Sequence, residues 1–318
     1  LIFIFFFTLV ALFQFLKKYH QGEIWMRVGK KFFIIYFLIG LVSIINGWPG
    51  GGQGLTLGNM PFITTKFIVF AFRILILNFI LALLLFACWS VGESLTRGLW
   101  PEKFRAIDAF IKGKVFTISA GTSLLKGVVF ALGFSLLLLI IPFITNKENA
   151  ISFINPVYQV NIYTSYLPVI EIITSALLEA IITGAGIIFF VVNISYYRFR
   201  NKTLSVILSG IASLGAAAIT YQPLSLNNFW LDLAFGFLTG CLFAAVYLRY
   251  DLLMLLSFIF HTIMITFGFT LFFGQTNFYT GNLITLIISL ASIPAIYLVG
   301  RIKKQEFVLE DYGVPSHI

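Results

Sequence analysis

Residues 229–263 read FWLDLAFGFLTGCLFAAVYLRYDLLMLLSFIFHTI. The stretch opens an apolar run over 229–248, turns through Arg249 and Asp251, and enters a second run that continues to 273. Each run is close to the ~20 residues a helix needs to cross a hydrocarbon layer about 30 Å thick. Neither carries the continuous polar face that a helix lying in water would present. Two membrane-crossing helices joined by a short basic turn are the unit this stretch predicts.

The rest of the chain repeats that unit. Comparable apolar runs lie at roughly 1–16, 32–47, 66–92, 125–144, 166–194, 204–221 and 282–300. With the two already read they predict an all-α, polytopic transmembrane bundle of about nine helices. The chain has 318 residues, 59% hydrophobic, 17% aromatic and only 10% charged. Soluble domains run about a quarter charged, so this chain lacks the polar side chains to cover a globular surface. Its length fills with spans and short connections, which predicts one membrane domain over 1–318 and no separate soluble domain. The chain opens at Leu1 on LIFIFFFTLVALFQFL, without the basic leader and small-residue cleavage site of a secretory signal. That run is read as a retained span behind a truncated start.

The basic residues set the orientation. Placing Lys17, Lys18, Arg27, Lys30 and Lys31 in the cytoplasm puts Arg97, Lys103, Arg105, Lys112, Lys114, Lys126, Arg198, Arg200, Lys202, Arg249, Arg301, Lys303 and Lys304 on the same side. Eighteen of the 21 basic residues then share one face, and the opposite loops hold only Lys147. This is the bias that positions membrane proteins, and it predicts a cytoplasmic C-terminus. The net charge of +9 is thereby spent on orientation. The clusters form no single basic arm or face, so nucleic acid is excluded as a partner and membrane lipids are the expected one. Residues 100–127, WPEKFRAIDAFIKGKVFTISAGTSLLKG, interleave Phe104, Ile107, Phe110, Ile111 and Val115 with basic residues. They are read as an amphipathic segment on the cytoplasmic surface. Trp25, Trp48, Trp89, Trp100 and Trp230 fall near expected helix ends, as interfacial aromatics do.

Cys88 and Cys241 sit in apolar runs with no Cys or His near them in sequence, and are read as small buried hydrophobes; no metal or cofactor is implied. The glycine-rich WPGGGQG at 48–54 has no Walker lysine and opens no helix, so it is read as an exterior turn. Ionisable residues inside apolar runs are functional candidates by default, since each costs about 2.5–3.5 kcal/mol to insert. They are Arg73, Glu171, Glu179, His261 and, near a helix end, Asp232. Glu179, in SALLEAIITGAGIIFF, and His261 form a plausible base and partner, or else two structural groups bridging helices. Lys66 and Arg73 share a helix face and are read, with Glu171, as structural intramembrane charges forming an ion pair across the outer bundle. Asp232 is read as a helix-start residue.

The order of these features resembles the CPBP family of membrane proteins, which holds the CAAX prenyl endopeptidases and bacteriocin-immunity relatives. The residues that carry the resemblance are the Glu179 helix, the basic turn YYRFRNK at 196–202, Gly236 and Gly240, Tyr247-Leu248-Arg249, and His261. It covers roughly 165–270, and implies a helical intramembrane glutamic protease fold in which a glutamate activates water and histidines stabilise the oxyanion. The motifs depart from the family's. Where it has Glu-Glu-x-x-x-Arg, this chain has Leu178-Glu179-Ala180 with Thr183 or Gly184 in place of the arginine; where it has Phe-x-x-x-His, Leu214 and Ala218 stand. His261 is kept, but Ile265 replaces the Asn or Asp four residues on. Losing one oxyanion donor alone costs about 10²–10³-fold in rate. The expectation is a catalytically impaired CPBP-like protein, with Glu179 and His261 as remnants, that acts as a membrane binding or regulatory protein. Its partner would be a membrane-embedded or lipidated peptide or protein, and its location a prokaryotic cytoplasmic membrane. An active endopeptidase using the same two residues is the alternative. A transporter is a third reading, against which stands the lack of an internal inverted repeat.

Overall fold

The computed structural model describes residues 2–22, 24, 26–49, 61–144, 162–219, 229–272 and 277–303. The regular structure among them is helical throughout, with no strand. Helices α1 (Ile2–His20) and α2 (Met26–Asn46) lead into the long α3 (Phe62–Leu99). A 3₁₀ turn (Pro101–Phe104) and the short α4 (Arg105–Ile111) connect to α5 (Ile118–Ile144). Then follow α6 (Pro168–Phe199), α7 (Lys202–Ile219), α8 (Phe229–Arg249), α9 (Leu252–Phe272) and α10 (Asn277–Lys303). Among the described residues five segments are long and apolar enough to cross a membrane: Val28–Asn46 in α2, all of α3, Ile118–Leu138 in α5, all of α6, and Asp232–Arg249 in α8.

Helix α6 is the hub. Its most apolar window is 61% buried inside the protein, against 17% for α3, whose outer face therefore meets the surroundings. Around α6 pack α2, α3, α7 and α9, while α5 pairs with α9 and α7 with α8. Small side chains let α6 in: Gly186 lies under Leu85 of α3, and Gly184 under Leu256 and Ile259 of α9. Pro168 opens α6 at a position where a missing N–H costs nothing. At its far end Arg200 takes the left-handed conformation (φ 52°) and closes the helix on the Tyr196 carbonyl.

Two helices change register. Both α3, at Arg73–Asn78, and α6, at Ala180–Ile188, contain a π-helical segment. One begins on Arg73 and the other directly after Glu179, so these two ionisable candidates sit at a change of register, whereas Glu171 lies in the regular part of α6. Such segments leave the regular i→i−4 ladder and recur at functional sites.

Helix α3 extends beyond the 66–92 read from the sequence. Trp89, Glu93 and Arg97 stand four residues apart on one face and bond along it, with Trp89 Nε1 (3.0 Å) and Arg97 Nε (2.9 Å) both donating to Glu93. What reads as a polar connector is thus the last turns of the helix. Trp89 is correspondingly a core residue, 1% exposed, rather than an interfacial one. Its ring stacks on Phe32 at 3.6 Å and packs against Phe104 and Phe189. Phe104 and Ile107, in the segment read as amphipathic, are buried in this same core, whereas Phe110 and Phe116 are exposed.

Candidate functional site

The polar side chains fall into two end layers and a sparse middle. On α3 the distance from Arg73 to Glu93 is 20 residues, about 30 Å of helix. On α6, Glu171 to Asn193 is 22 residues, about 33 Å. Both match the thickness of a bilayer's hydrocarbon core.

At the first end, Asn46 ties the close of α2 to the start of α6. Its Nδ2 donates to the Leu167 carbonyl (3.1 Å) and to Glu171 Oε2 (3.2 Å), and its Oδ1 accepts from the Leu167 N–H (3.0 Å). Ser43 Oγ donates to Glu171 Oε1 (3.5 Å). Glu171 is 7% exposed and is held by these neutral donors. Arg73 is near enough to attract it electrostatically, yet the two form no hydrogen-bonded ion pair. The Arg73–Glu171 relation is long-range, and Arg73 lies among exposed Phe72, Leu75 and Ile76.

At the second end sits a cluster absent from the sequence reading. Arg97 donates through Nη1 and Nη2 to both oxygens of Asp108 (3.0 and 2.9 Å) while its Nε holds Glu93. Asp108 is fully buried and Glu93 is 1% exposed. One guanidinium thereby locks α4 to the end of α3 with the bidentate geometry only arginine supplies. Beside it the buried Tyr247 hydroxyl bonds Asn193 Nδ2 (3.1 Å) and Thr96 Oγ1 (3.3 Å), joining α8, α6 and α3. Lys103 Nζ donates to the carbonyls of Tyr247 (2.7 Å), Leu248 (2.9 Å) and Tyr250 (2.5 Å), closing the C-terminus of α8 with an ammonium where the helix dipole is negative. Burial pulls Lys103 down to about 8, so it stays charged at neutral pH. Asp251 starts α9 by accepting the Met254 N–H (2.9 Å), and also accepts from Ser123 Oγ (2.6 Å) on α5. The signals in the sequence were the four-residue spacing of Trp89, Glu93 and Arg97, and Lys103 and Asp108 in the short connection that follows.

Glu179 and His261 occupy the middle. Glu179 is eight residues, about 12 Å, below Glu171; His261 is ten residues, about 15 Å, from Asp251 at the opposite end. Each therefore lies within about a helical turn of the layer's centre. They share no hydrogen bond. Glu179 Oε1 accepts from Thr183 Oγ1 (2.6 Å) on its own helix, with Tyr36 of α2 within electrostatic reach. His261 Nδ1 lies 2.6 Å from the Ser257 carbonyl oxygen and 3.2 Å from Ser257 Oγ, whose proton goes to the Leu124 carbonyl (2.9 Å). A carbonyl only accepts, so Nδ1 carries the proton and Nε2 presents a lone pair. That Nε2 is buried and, among the described residues, has no hydrogen-bond partner. Among the described residues no three His, Cys, Asp or Glu side chains gather as a metal site. Both cysteines are free thiols, Cys88 buried and Cys241 partly so. Leu214 is on α7, and the side chain of Ala218 and the turn that follows lie outside the described residues, as do Trp25 and the 50–60 part of the glycine-rich stretch.

Comparison of the chain with protein-family models, with curated proteins and with solved structures finds no significant match.

Proposed function

We propose that this chain is an integral membrane protein of a prokaryotic cytoplasmic membrane, a CPBP-like bundle of about nine spans with a cytoplasmic C-terminus, that has lost peptide hydrolysis and works as a membrane binding or regulatory protein. Its partners are lipids and a membrane-embedded or lipidated peptide or protein. One observation carries the loss of hydrolysis: Glu179 and His261 each bond along their own helix and not to one another, and the imidazole keeps a lone pair, not an N–H, at its buried Nε2. An oxyanion needs a donor at that position, and a general base needs a water that the second group helps to hold. Apolar Ala218 and Ile265, and Leu178 or Ala180 beside Glu179, stand where the family's other polar groups would supply both. The test is turnover of a quenched prenylated peptide by the full chain in liposomes, set beside Glu179→Ala. Equal, background-level signal is expected, and turnover abolished by the substitution refutes the reading.

A second reading, an active endopeptidase using Glu179 as base with His261, is favoured by the orphaned Nε2, which can accept a proton, and by the π-helical segment after Glu179, which frees backbone carbonyls from the helical ladder. It requires a pH–rate profile that changes on substitution of either residue.

A further inference from the structure

The recess between α2 and α3 at the Glu171 end has the chemistry of an oxyanion seat. It is lined by Gly47, Trp48, Lys66, Phe70 and Arg73, and its volume of about 10 Å³ admits one water-sized group. Lys66 and Arg73 stand seven residues apart, two turns along the same face of α3, with Phe70 between them. Lys66 Nζ donates one proton to the Pro49 carbonyl (3.1 Å) and lies 4.9 Å from the Trp48 ring centre, which fixes the ammonium at the rim with two protons left to give. No hydrogen bond or ion pair among the described residues holds Arg73. The stretch that connects α2 to α3, GGGQGLTLGNM at 50–60, contains no Asp or Glu that could neutralise it. Glu171 balances part of the charge from behind Gly47, but its carboxylate is already engaged by Asn46 and Ser43. Two cations against one occupied carboxylate leave the recess positive.

The surroundings narrow the anion. Arg73 projects from a helix face whose neighbours Phe72, Leu75 and Ile76 are exposed and apolar, so the recess lies where an apolar helix surface begins and Lys66 stands about 10 Å further out. The anion that is abundant at that boundary of a membrane is phosphate, and paired guanidinium and ammonium groups suit its several oxygens. We propose that this recess takes one oxygen of a phosphate group held at its mouth, supplied either by a lipid headgroup or by free phosphate, with Arg73 and Lys66 as donors and Trp48 as the wall.

The test uses the full chain in neutral detergent and native mass spectrometry. Phosphatidylglycerol, phosphatidylcholine and inorganic phosphate are added in separate arms, with wild type, Lys66→Gln, Arg73→Gln, Arg73→Lys and, as a control at the opposite end, Lys112→Gln. Wild type and Lys112→Gln are expected to retain the ligand equally, Lys66→Gln and Arg73→Gln to retain it at least fivefold less, and Arg73→Lys to recover part of the loss. Retention of phosphatidylglycerol that millimolar phosphate does not displace assigns a lipid headgroup; retention or competition by phosphate itself assigns the free anion. Should Arg73→Gln fail to fold, the half-buried Lys66 carries the comparison. Equal retention by wild type and Lys66→Gln in every arm, or an equal loss in Lys112→Gln, overturns the proposal.

Discussion

Replacing Arg97 by glutamine removes a cation that two buried carboxylates share. Asp108 loses both of its guanidinium bonds and Glu93 loses one, keeping among the described residues that from Trp89 Nε1. Breaking a buried ion pair from one side typically costs about 3–5 kcal/mol, because the partner left behind is desolvated and unpaired. The Arg97 side chain is 18% exposed, so water can reach part of the vacated space and the lower end, about 3 kcal/mol, applies. That is roughly a hundredfold in the unfolding equilibrium. Unfolding in mixed detergent–SDS micelles can be read by thiol labelling of Cys88, which is fully buried, in a Cys241→Ala background. A second variant separates lost charge from lost packing: adding Asp108→Asn to Arg97→Gln removes the stranded carboxylate. The pair is expected to cost less than the sum of the singles by about 1 kcal/mol or more, as contacting groups do. An Arg97→Gln cost under about 1 kcal/mol, or strict additivity, would refute the lock between α3 and α4.

Three further outcomes follow from the same packing. Gly92→Ala sets a methyl group against the Phe189 ring at the α3–α6 contact, and a loss of about 1–3 kcal/mol is expected in the same labelling assay; no loss means these helices do not approach as closely as the structure has them. Lys103→Met removes the ammonium that closes α8, costing about 1–3 kcal/mol at neutral pH. Because folded Lys103 gives up its proton near 8 and an unfolded lysine near 10.5, the margin of wild type over Lys103→Met is flat below pH 8 and grows toward 10.5; a margin that shrinks over this window contradicts the burial. His261→Phe keeps the edge contact with Phe260 while deleting the orphaned Nε2, and is expected to change stability by less than about 1 kcal/mol, since the Ser257 carbonyl keeps its place in the helix; a cost of about 3 kcal/mol shows that Nε2 has a partner worth that much.

The helical character was legible because apolar runs of about 20 residues have few other fates. The polar end layers were not. Glu93 and Arg97 follow an apolar run and read as a connector, since hydropathy drops at any salt-bridged helix end just as it does at a loop. Only the four-residue spacing from Trp89 separates the two cases, and it matters only if the face is buried, which depends on α4 folding back. Trp89 misled for the same reason: a tryptophan near the end of an apolar run is interfacial unless the helix continues. Arg73 and Glu171 were singled out by insertion cost, but sequence spacing has no information on which neutral donors reach a carboxylate first. Asn46 and Ser43 come from a helix more than 120 residues away.

The two kinds of polar group differ in how they are satisfied. Those at the ends bond across helices, Arg97 to Asp108, Tyr247 to Asn193, Asn46 to Glu171, whereas Glu179 and His261 bond along their own. At the ends, where turns and connections bring several elements together, groups on different helices meet and satisfy one another; in the apolar middle, an unmet partner costs the whole desolvation of the group, and a bond to one's own helix is present before the helices pack. His261 pays for that local bond in chemistry. To place a proton at Nε2 it must either release the Ser257 carbonyl from Nδ1 or carry a second proton as an imidazolium in an apolar layer. Either change needs water beside the ring, so any peptide-cleaving activity would have to begin with hydration of the middle layer and not with the approach of a substrate. Hydrogen–deuterium exchange around Ile259–Ile263 is therefore expected to stay as slow as in the neighbouring turns of α9, and fast exchange confined to that turn would restore the catalytic reading.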